Sequence, residues 1–86
     1  MKIFIHKNFI KRYKKLRPND KKRFKERRDI FLTDPFNPIL NNHALGGEYK
    51  KCRSINVTGD IRVIYLPVDK NTVLFVEIGS HSQLYK

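Results

Sequence analysis

Three apolar segments separated by two tight turns in the C-terminal half constrain the fold of this chain more than any other feature. Residues 49–57 alternate loosely between apolar and polar, residues 61–66 are dense in β-branched side chains, and residues 72–78 are almost continuously apolar. The intervening residues, 58–60 and 69–71, are of the types that favour hairpin turns. The pattern predicts an antiparallel meander whose last strand is buried on both faces.

Ahead of this meander the sequence predicts one strand and two helices. Residues 2–6 alternate and indicate a short strand at one edge of the sheet. A helix capped by Asn8 and beginning at Phe9 carries its apolar residues on one face, and Pro18 interrupts it. A second helix, capped by Asn19 or Asp20, continues to about Thr33. The order β-α-α-β-β-β defines one α+β domain over residues 1–86, with an antiparallel sheet packed by an N-terminal helical hairpin.

Positive charge is concentrated in the two predicted helices. Residues 1–28 contain thirteen Lys and Arg against two Asp and Glu, a net charge of +11, whereas residues 29–86 contain six of each sign. A basic stripe on one element is typical of a protein that binds a polyanion, although it can also be a solvated helix surface. We expect RNA phosphates to bind its lysines, which are Lys11, Lys14, Lys15, Lys21, Lys22 and Lys25.

Several features favour a cytoplasmic protein that carries no cofactor. The apolar runs are too short to span a membrane, and charges interrupt the N-terminal segment too early for a signal peptide. The one cysteine, Cys52, cannot form an internal disulfide, and its predicted place inside a strand favours a packed thiol over a nucleophile. One Cys and three scattered His lack the spacing of a zinc site, so we expect no metal.

Residues suited to acid–base chemistry lie in the charge-balanced part of the chain. Cleavage of RNA by its ribose 2′-hydroxyl requires a base, a cation at the phosphate and an acid, which His and Arg side chains can supply without a metal. The candidates are His43, Arg53, Asp60, Arg62, His81 and Tyr85. Taken alone, each histidine could be an ordinary surface residue, Arg62 could be an exposed residue of a sheet face, and His6 is expected to be structural.

Four segments, in this order and at these spacings, resemble the RelE/YafQ superfamily of bacterial type II toxins. They are the loop at residues 34–40, which follows the two basic helices, and the segments at 43–46, 53–65 and 78–85. Each segment is weakly specific alone, but together with the helices they cover nearly the whole chain. The resemblance implies a microbial-ribonuclease-like fold, metal-free cleavage of mRNA in the ribosomal A site, and neutralisation by a co-expressed antitoxin.

The resemblance also implies which residues act. The catalytic positions of the YafQ-like pattern fall on His43, Asp60, His81 and Tyr85. In the RelE-like pattern, the arginine of the third strand corresponds to Arg62 and a lysine of the second strand to Arg53. Asn56 stands where the YafQ-like pattern has a histidine, and an amide side chain cannot shuttle a proton.

We therefore expect a toxin-type endoribonuclease that is a monomer when free. His81 and His43 transfer protons, Asp60 orients one of them, Arg62 with Arg53 binds the scissile phosphate, and Tyr85 stacks on a base or positions the ribose. Its expected partners are mRNA, the ribosomal RNA of the A site, which the basic helices hold without reading sequence, and a cognate antitoxin. The alternative is a non-catalytic RNA-binding or ribosome-binding module, or an inactive toxin relative, which needs only the basic helices and accommodates Asn56.

Overall fold

A five-stranded sheet with two helices packed on one face forms the framework of the protein. The computed structural model describes residues 1–85. The strands are β1 (Lys2–Ile5), β2 (His43–Ala44), β3 (Arg53–Asn56), β4 (Ile61–Asp69) and β5 (Thr72–Ser80). The helices are α1 (Lys7–Tyr13), α2 (Pro18–Thr33) and α3 (His81–Leu84), with single 3₁₀ turns at Pro38–Leu40 and Gly47–Tyr49.

The strands lie in the order β1-β5-β4-β3-β2. The α+β class is confirmed, and β3, β4 and β5 form the predicted antiparallel meander. The sheet is nevertheless mixed, because β1 lies at its edge and runs parallel to β5, with Ile3 opposite Val73. The prediction of a wholly antiparallel sheet is corrected there. Almost the whole chain separates the two strands, so no local turn signal fixes their relative direction.

Aromatic side chains hold the two helices against the sheet. Phe9 of α1, Phe24 and Phe31 of α2, and Phe75 of β5 are all buried. The ring centroids of Phe9 and Phe24 lie 5.4 Å apart, and Phe75 is 5.7 Å from Phe31. Aromatic pairs at these distances add to the stabilisation from burial alone. Because α2 buries only these two residues fully, most of its circumference remains available to its basic side chains.

Both long helices begin earlier than the sequence predicts. His6 is the N-cap of α1, since its Nδ1 accepts a hydrogen bond from the backbone N–H of Asn8 at 3.0 Å. The expected structural role of His6 is thereby confirmed, and the predicted cap at Asn8 is wrong. Helix α2 starts at Pro18, whose missing N–H and fixed φ suit the first helical position, and its N-cap residue Arg17 makes no side-chain capping bond.

The segment predicted as a long loop, 34–48, contains local structure of its own. Leu40 is completely buried and anchors its 3₁₀ turn to the core, and β2 adds a short fifth strand that the sequence pattern does not reveal. Strand β3 begins only at Arg53, so Cys52 precedes the strand instead of lying inside it. The tail after Ser80 forms α3. None of the helices formed by residues 1–85 is long and apolar enough to cross a membrane.

Candidate active site

The polar side chains of the sheet lie on the face opposite the two long helices. Ile55 of β3 and Val63 of β4 belong to the core beneath the helices. Because side chains alternate along a strand, Ser54, Asn56 and Arg62 lie on the other face. Asn56 pairs with Arg62 across the two strands. The alternation of side chains along β3 and β4 therefore places these polar residues together at the base of a polar site.

Four of the predicted catalytic residues line a single cavity on this face. Its volume is about 340 Å³. Its lining residues are Asn41, His43, Leu45, Ser54, Arg62, His81 and Tyr85. These side chains come from β2 and its flanks, from β3, from β4 and from the α3 region. The structure thus brings together both of the histidines expected to transfer protons and the arginine expected to bind phosphate.

His43 is held in one orientation by the backbone of its own loop. Strand β2 places it opposite Ser54, and its Nδ1 lies 2.8 Å from the carbonyl oxygen of Asn41. A carbonyl oxygen can only accept a hydrogen bond, so Nδ1 is the protonated nitrogen of the neutral ring. Asn41 adopts a left-handed conformation, φ 45°, that lets the carbonyl turn back toward the ring. The lone pair of His43 Nε2 is consequently free to accept a proton.

His81 is fixed at the start of α3 by its backbone. Ser80 and Gln83 form a reciprocal capping box, and the His81 N–H donates to the carbonyl oxygen of Asp60 at 3.1 Å. Gly79 lies close to this turn, since an added Cβ would lie 2.8 Å from Gln83 Oε1 and would displace the end of the side chain that accepts from Ser80 N–H. The ring nitrogens of His81 have no hydrogen-bond partner within residues 1–85, and the side chain is exposed. The imidazole is therefore open to substrate on a fixed backbone.

Arg62 is held by the turn that precedes its strand. Its Nη1 donates to the carbonyl oxygens of Thr58 at 2.9 Å and Ile61 at 3.3 Å. Within the described chain, Nε and Nη2 have no hydrogen-bond partner. The half-buried guanidinium is thus anchored on one side and free to donate to an anion on the other.

The aromatic rings near the cavity form a short stack. The Tyr85 ring lies 4.7 Å from the His81 imidazole and meets Tyr49 edge-on at 6.3 Å. Burial, followed by the carboxylates of Glu77 and Glu48, raises the pKa of Tyr49, so its phenol stays protonated at neutral pH. The sequence prediction missed Tyr49 because it assigned this residue to a strand.

Two of the predicted site residues do not line the cavity. Asp60 is exposed. Its contact with the site is its backbone carbonyl oxygen, which accepts a hydrogen bond from the His81 N–H. Arg53 donates to Asn42 Oδ1 at 2.7 Å, and its guanidinium lies 5.2 Å from the Phe36 ring centroid. Asn42 also donates to the Tyr65 hydroxyl at 2.7 Å, so Arg53 belongs to a network that fastens the loop before β2.

A second, more basic cavity lies on the other side of α3. It has a volume of about 430 Å³ and includes Lys11, Arg12 and Lys15 of α1 and the turn that follows it. Arg12 Nε pairs with Glu77 Oε1 at 3.4 Å, which leaves the two lysines as its unneutralised charges. Of the six lysines predicted to bind RNA, all are exposed except Lys21, which is half-buried with its Nζ 5.7 Å from the Tyr13 ring.

The structure offers little support for cysteine or metal chemistry. Cys52 is half-buried, and burial raises the pKa of its thiol, which disfavours the reactive thiolate. Among residues 1–85, no group of three or more His, Cys, Asp or Glu side chains could hold a metal ion. The ionisable side chains that line the first cavity are His43, Arg62, His81 and Tyr85.

Solved structures of bacterial toxins share this fold. YafQ from Escherichia coli strain BL21(DE3) superposes with a TM-score of 0.83 at 20% identity, covering 98% of this chain and 97% of that one. A metal-bound toxin from Helicobacter pylori is 31% identical, with a TM-score of 0.79 and 99% of each chain covered. YafQ in the E. coli DinJ–YafQ complex is 24% identical, with a TM-score of 0.77 and coverage of 98% and 97%.

The fold is thus that of a small bacterial toxin of the RelE/YafQ type. No curated protein matches the chain by sequence. The model of the family described as the bacterial toxin of type II toxin–antitoxin system, YafQ, matches residues 1–86, and the chain belongs to this family. The resemblance drawn from its sequence segments is therefore confirmed.

Proposed function

We propose that this YafQ-family toxin is a metal-free endoribonuclease that cleaves mRNA in the ribosomal A site. The observation that carries the proposal is the convergence of His43, Arg62 and His81 on one cavity. Two imidazoles and a guanidinium are the groups that attack by a ribose 2′-hydroxyl needs. No step of this reaction requires a metal ion.

The hydrogen bond of the His43 ring and the exposed, unpaired ring of His81 in the described chain support a division of their roles. His43 has its Nδ1 bonded to a carbonyl, so its Nε2 removes the proton of the 2′-hydroxyl. The 2′-oxygen then attacks phosphorus, the bond to the 5′-oxygen breaks, and a 2′,3′-cyclic phosphate forms. His81 gives a proton to the departing 5′-oxygen, while Arg62 stabilises the charge on the equatorial phosphoryl oxygens.

Three further residues assist in this proposal. The Tyr85 ring, which lies against His81, stacks on a base or positions the ribose. Asp60 keeps His81 in place through its backbone carbonyl oxygen, which accepts a hydrogen bond from the His81 N–H. Arg53 leaves β3 on the face opposite Ser54 and engages Asn42, so it adds its positive charge from outside the cavity.

The partners of the toxin follow from its charge and its family. The lysines of the helical hairpin hold ribosomal RNA through phosphate contacts, in the cytoplasm, while the cavity acts on mRNA. The free toxin is a monomer, and a cognate antitoxin neutralises it. The E. coli DinJ–YafQ toxin–antitoxin complex, whose toxin shares this fold, supports the antitoxin as a partner.

Mapping of mRNA ends tests the proposal against a non-catalytic binding module. Induced expression should produce new mRNA 5′ ends within codons, detected by primer extension. Purified toxin should produce the same ends on programmed ribosomes in the presence of excess EDTA. If the wild-type protein binds ribosomes but never cleaves, on ribosomes or on free RNA, the enzyme proposal fails and the binding module replaces it.

Ribosome binding should weaken steeply as salt rises. Each phosphate that a lysine neutralises releases counterions, so each lost contact should reduce the slope of log K against log[salt] by about 0.7–0.9. The variant with Lys14, Lys15, Lys21 and Lys22 changed to Glu should bind weakly and keep the wild-type circular dichroism spectrum. Filter binding or sedimentation at several salt concentrations measures the slope.

A charge-matched control separates position from total charge. Lys2 and Lys70 are exposed at the far end of the sheet, where they line a shallow depression. Changing both to Glu removes as much positive charge as changing Lys14 and Lys15. The helix pair should reduce affinity and slope, and the sheet pair should leave the slope close to wild type. Equal losses from the two pairs would show that only net charge matters.

A further inference from the structure

Ser54 is a buried polar residue with no hydrogen-bond partner for its side chain. Its side chain is 0% exposed, and within residues 1–85 nothing pairs with its Oγ. An unpaired hydroxyl in the interior of a protein costs stability, and native structures keep few of them. Ser54 is nevertheless the residue that the chain places in the middle of β3, at the floor of the cavity.

The neighbours of Ser54 on the sheet show where a partner could come from. Ile64 lies opposite it on β4, is fully buried, and has no polar side-chain atom to offer. His43 lies opposite it on β2, and directly opposed residues of antiparallel strands have Cβ atoms about 4.5–5.5 Å apart on the same face. The His43 ring is tied to Asn41 through Nδ1. Asn56, two residues along β3 on the same face, has a buried Oδ1 that is itself unpaired within residues 1–85. None of these neighbours satisfies the Ser54 hydroxyl, and the cavity is the side from which a ligand reaches it.

We propose that Ser54 is a positioning residue that hydrogen-bonds the ribose 2′-hydroxyl at the scissile bond and so selects RNA over DNA at that position. The inference rests on the proposed ribonuclease function. Ser54 Oγ–H donates to the 2′-oxygen, and the proton of the same hydroxyl points to His43 Nε2. Two side chains on neighbouring strands then hold one oxygen from two directions, which fixes it for attack on phosphorus.

Access to this hydroxyl requires a small movement of the cavity wall. The Ser54 Oγ lies beneath the cavity surface, and the half-buried side chains of Leu45 and Tyr85 line the space above the sheet. A sugar that enters displaces such side chains and pairs the hydroxyl, so the free protein keeps an unpaired group that substrate satisfies.

This role gives Ser54→Ala an unusual combination of effects. If the Ser54 side chain stabilised the fold, its replacement would lower the melting temperature. Ser54 makes no hydrogen bond in the described structure, so its replacement removes an unpaired buried group, and the melting temperature should stay the same or rise. Cleavage by the variant should fall. Ser82→Ala is the control: it removes an exposed serine hydroxyl that lies 3.3 Å from Ser80 Oγ, and it should leave the cleavage rate of folded protein within a few-fold of wild type.

Affinity for sugars with and without the 2′-hydroxyl tests the contact directly. Both proteins carry His81→Gln to prevent cleavage, and one also carries Ser54→Ala. Each is bound to ribosomes programmed with mRNA that has ribose or 2′-deoxyribose at the three A-site nucleotides. His81→Gln alone should prefer ribose by about 2- to 10-fold, the range expected for one hydrogen bond. The double variant should show a ratio close to one.

The outcomes separate this inference from the proposed function. An equal preference in the two proteins, no preference in His81→Gln alone, or a lower melting temperature for Ser54→Ala each overturns the role of Ser54. Absence of cleavage by the wild-type protein overturns the ribonuclease proposal instead, and the affinity ratio still decides whether Ser54 contacts the 2′-hydroxyl.

Discussion

Replacing Arg62 by Ala should reduce the cleavage rate by about 10²-fold or more, the loss seen when one donor to transition-state charge is removed. The Arg62 guanidinium has Nη1 committed to two backbone carbonyls and its other nitrogens free within residues 1–85, so it reaches the phosphate from a fixed position. Ribosome affinity should change little, because the lysines of the helices supply most of the phosphate contacts. Single-turnover cleavage on programmed ribosomes measures the rate.

The stability of this variant should also fall slightly. Arg62 lines the polar cavity, and its half-buried side chain also holds the turn at Thr58 through Nη1. Loss of these bonds should cost about 1–2 kcal/mol, since the freed carbonyls regain contact with water. Arg62→Lys keeps the charge without the fork of donors and should be intermediate in rate.

A second arginine provides the control for charge. Arg28 is half-buried on α2 and pairs with Asp29, away from the cavity. Arg28→Ala removes the same charge and should leave the cleavage rate within a few-fold of wild type. If the fraction of unfolded Arg62→Ala protein accounted for the whole decrease in its cleavage rate, Arg62 would be structural. Its place in the proposed mechanism would then be wrong.

The alternation of apolar and polar residues along the strands allowed much of the site to be predicted from the sequence. Strands with apolar residues at every second position place the intervening residues on the opposite face, which puts Arg62 beside Asn56 and Ser54 beside His43 once the register is known. The turn at 58–60 fixes that register locally. The motif resemblance added the two histidines, which are too far apart in sequence for periodicity to connect them.

Other features depend on interactions that periodicity does not encode. The cap of α1 is a histidine ring nitrogen instead of the nearby asparagine, and β2 is too short to leave a pattern. The α3 helix of four residues begins at a capping box formed by Ser80 and Gln83, which the sequence analysis did not identify. The expected phosphate role of Arg53 stays a prediction, because the structure engages its Nε with Asn42.

Replacing His81 by Gln should reduce cleavage by about 10²–10⁴-fold, the contribution of one positioned proton transfer. Glutamine keeps hydrogen-bonding capacity and roughly the length of the side chain, but it cannot exchange a proton near neutral pH. Because the backbone of His81 is held by Asp60 and the capping box, the fold should be unchanged. The wild-type rate should depend on pH between about 5 and 8, where histidine side chains generally titrate. The His81→Gln variant should lose one limb of that profile.

A second histidine, His6, provides the control for this experiment. His6 caps α1 outside the cavity, and a lost N-cap costs about 0.5–2 kcal/mol. His6→Gln should therefore lower the melting temperature by several degrees, about 4–8 °C per kcal/mol in a domain of this size, and leave the cleavage rate of folded protein unchanged. His81→Gln should do the reverse, with ribosome binding close to wild type on the same preparation. If His81→Gln cleaves at the wild-type rate, its imidazole has no part in catalysis, and the proton for the 5′-oxygen must come from another group.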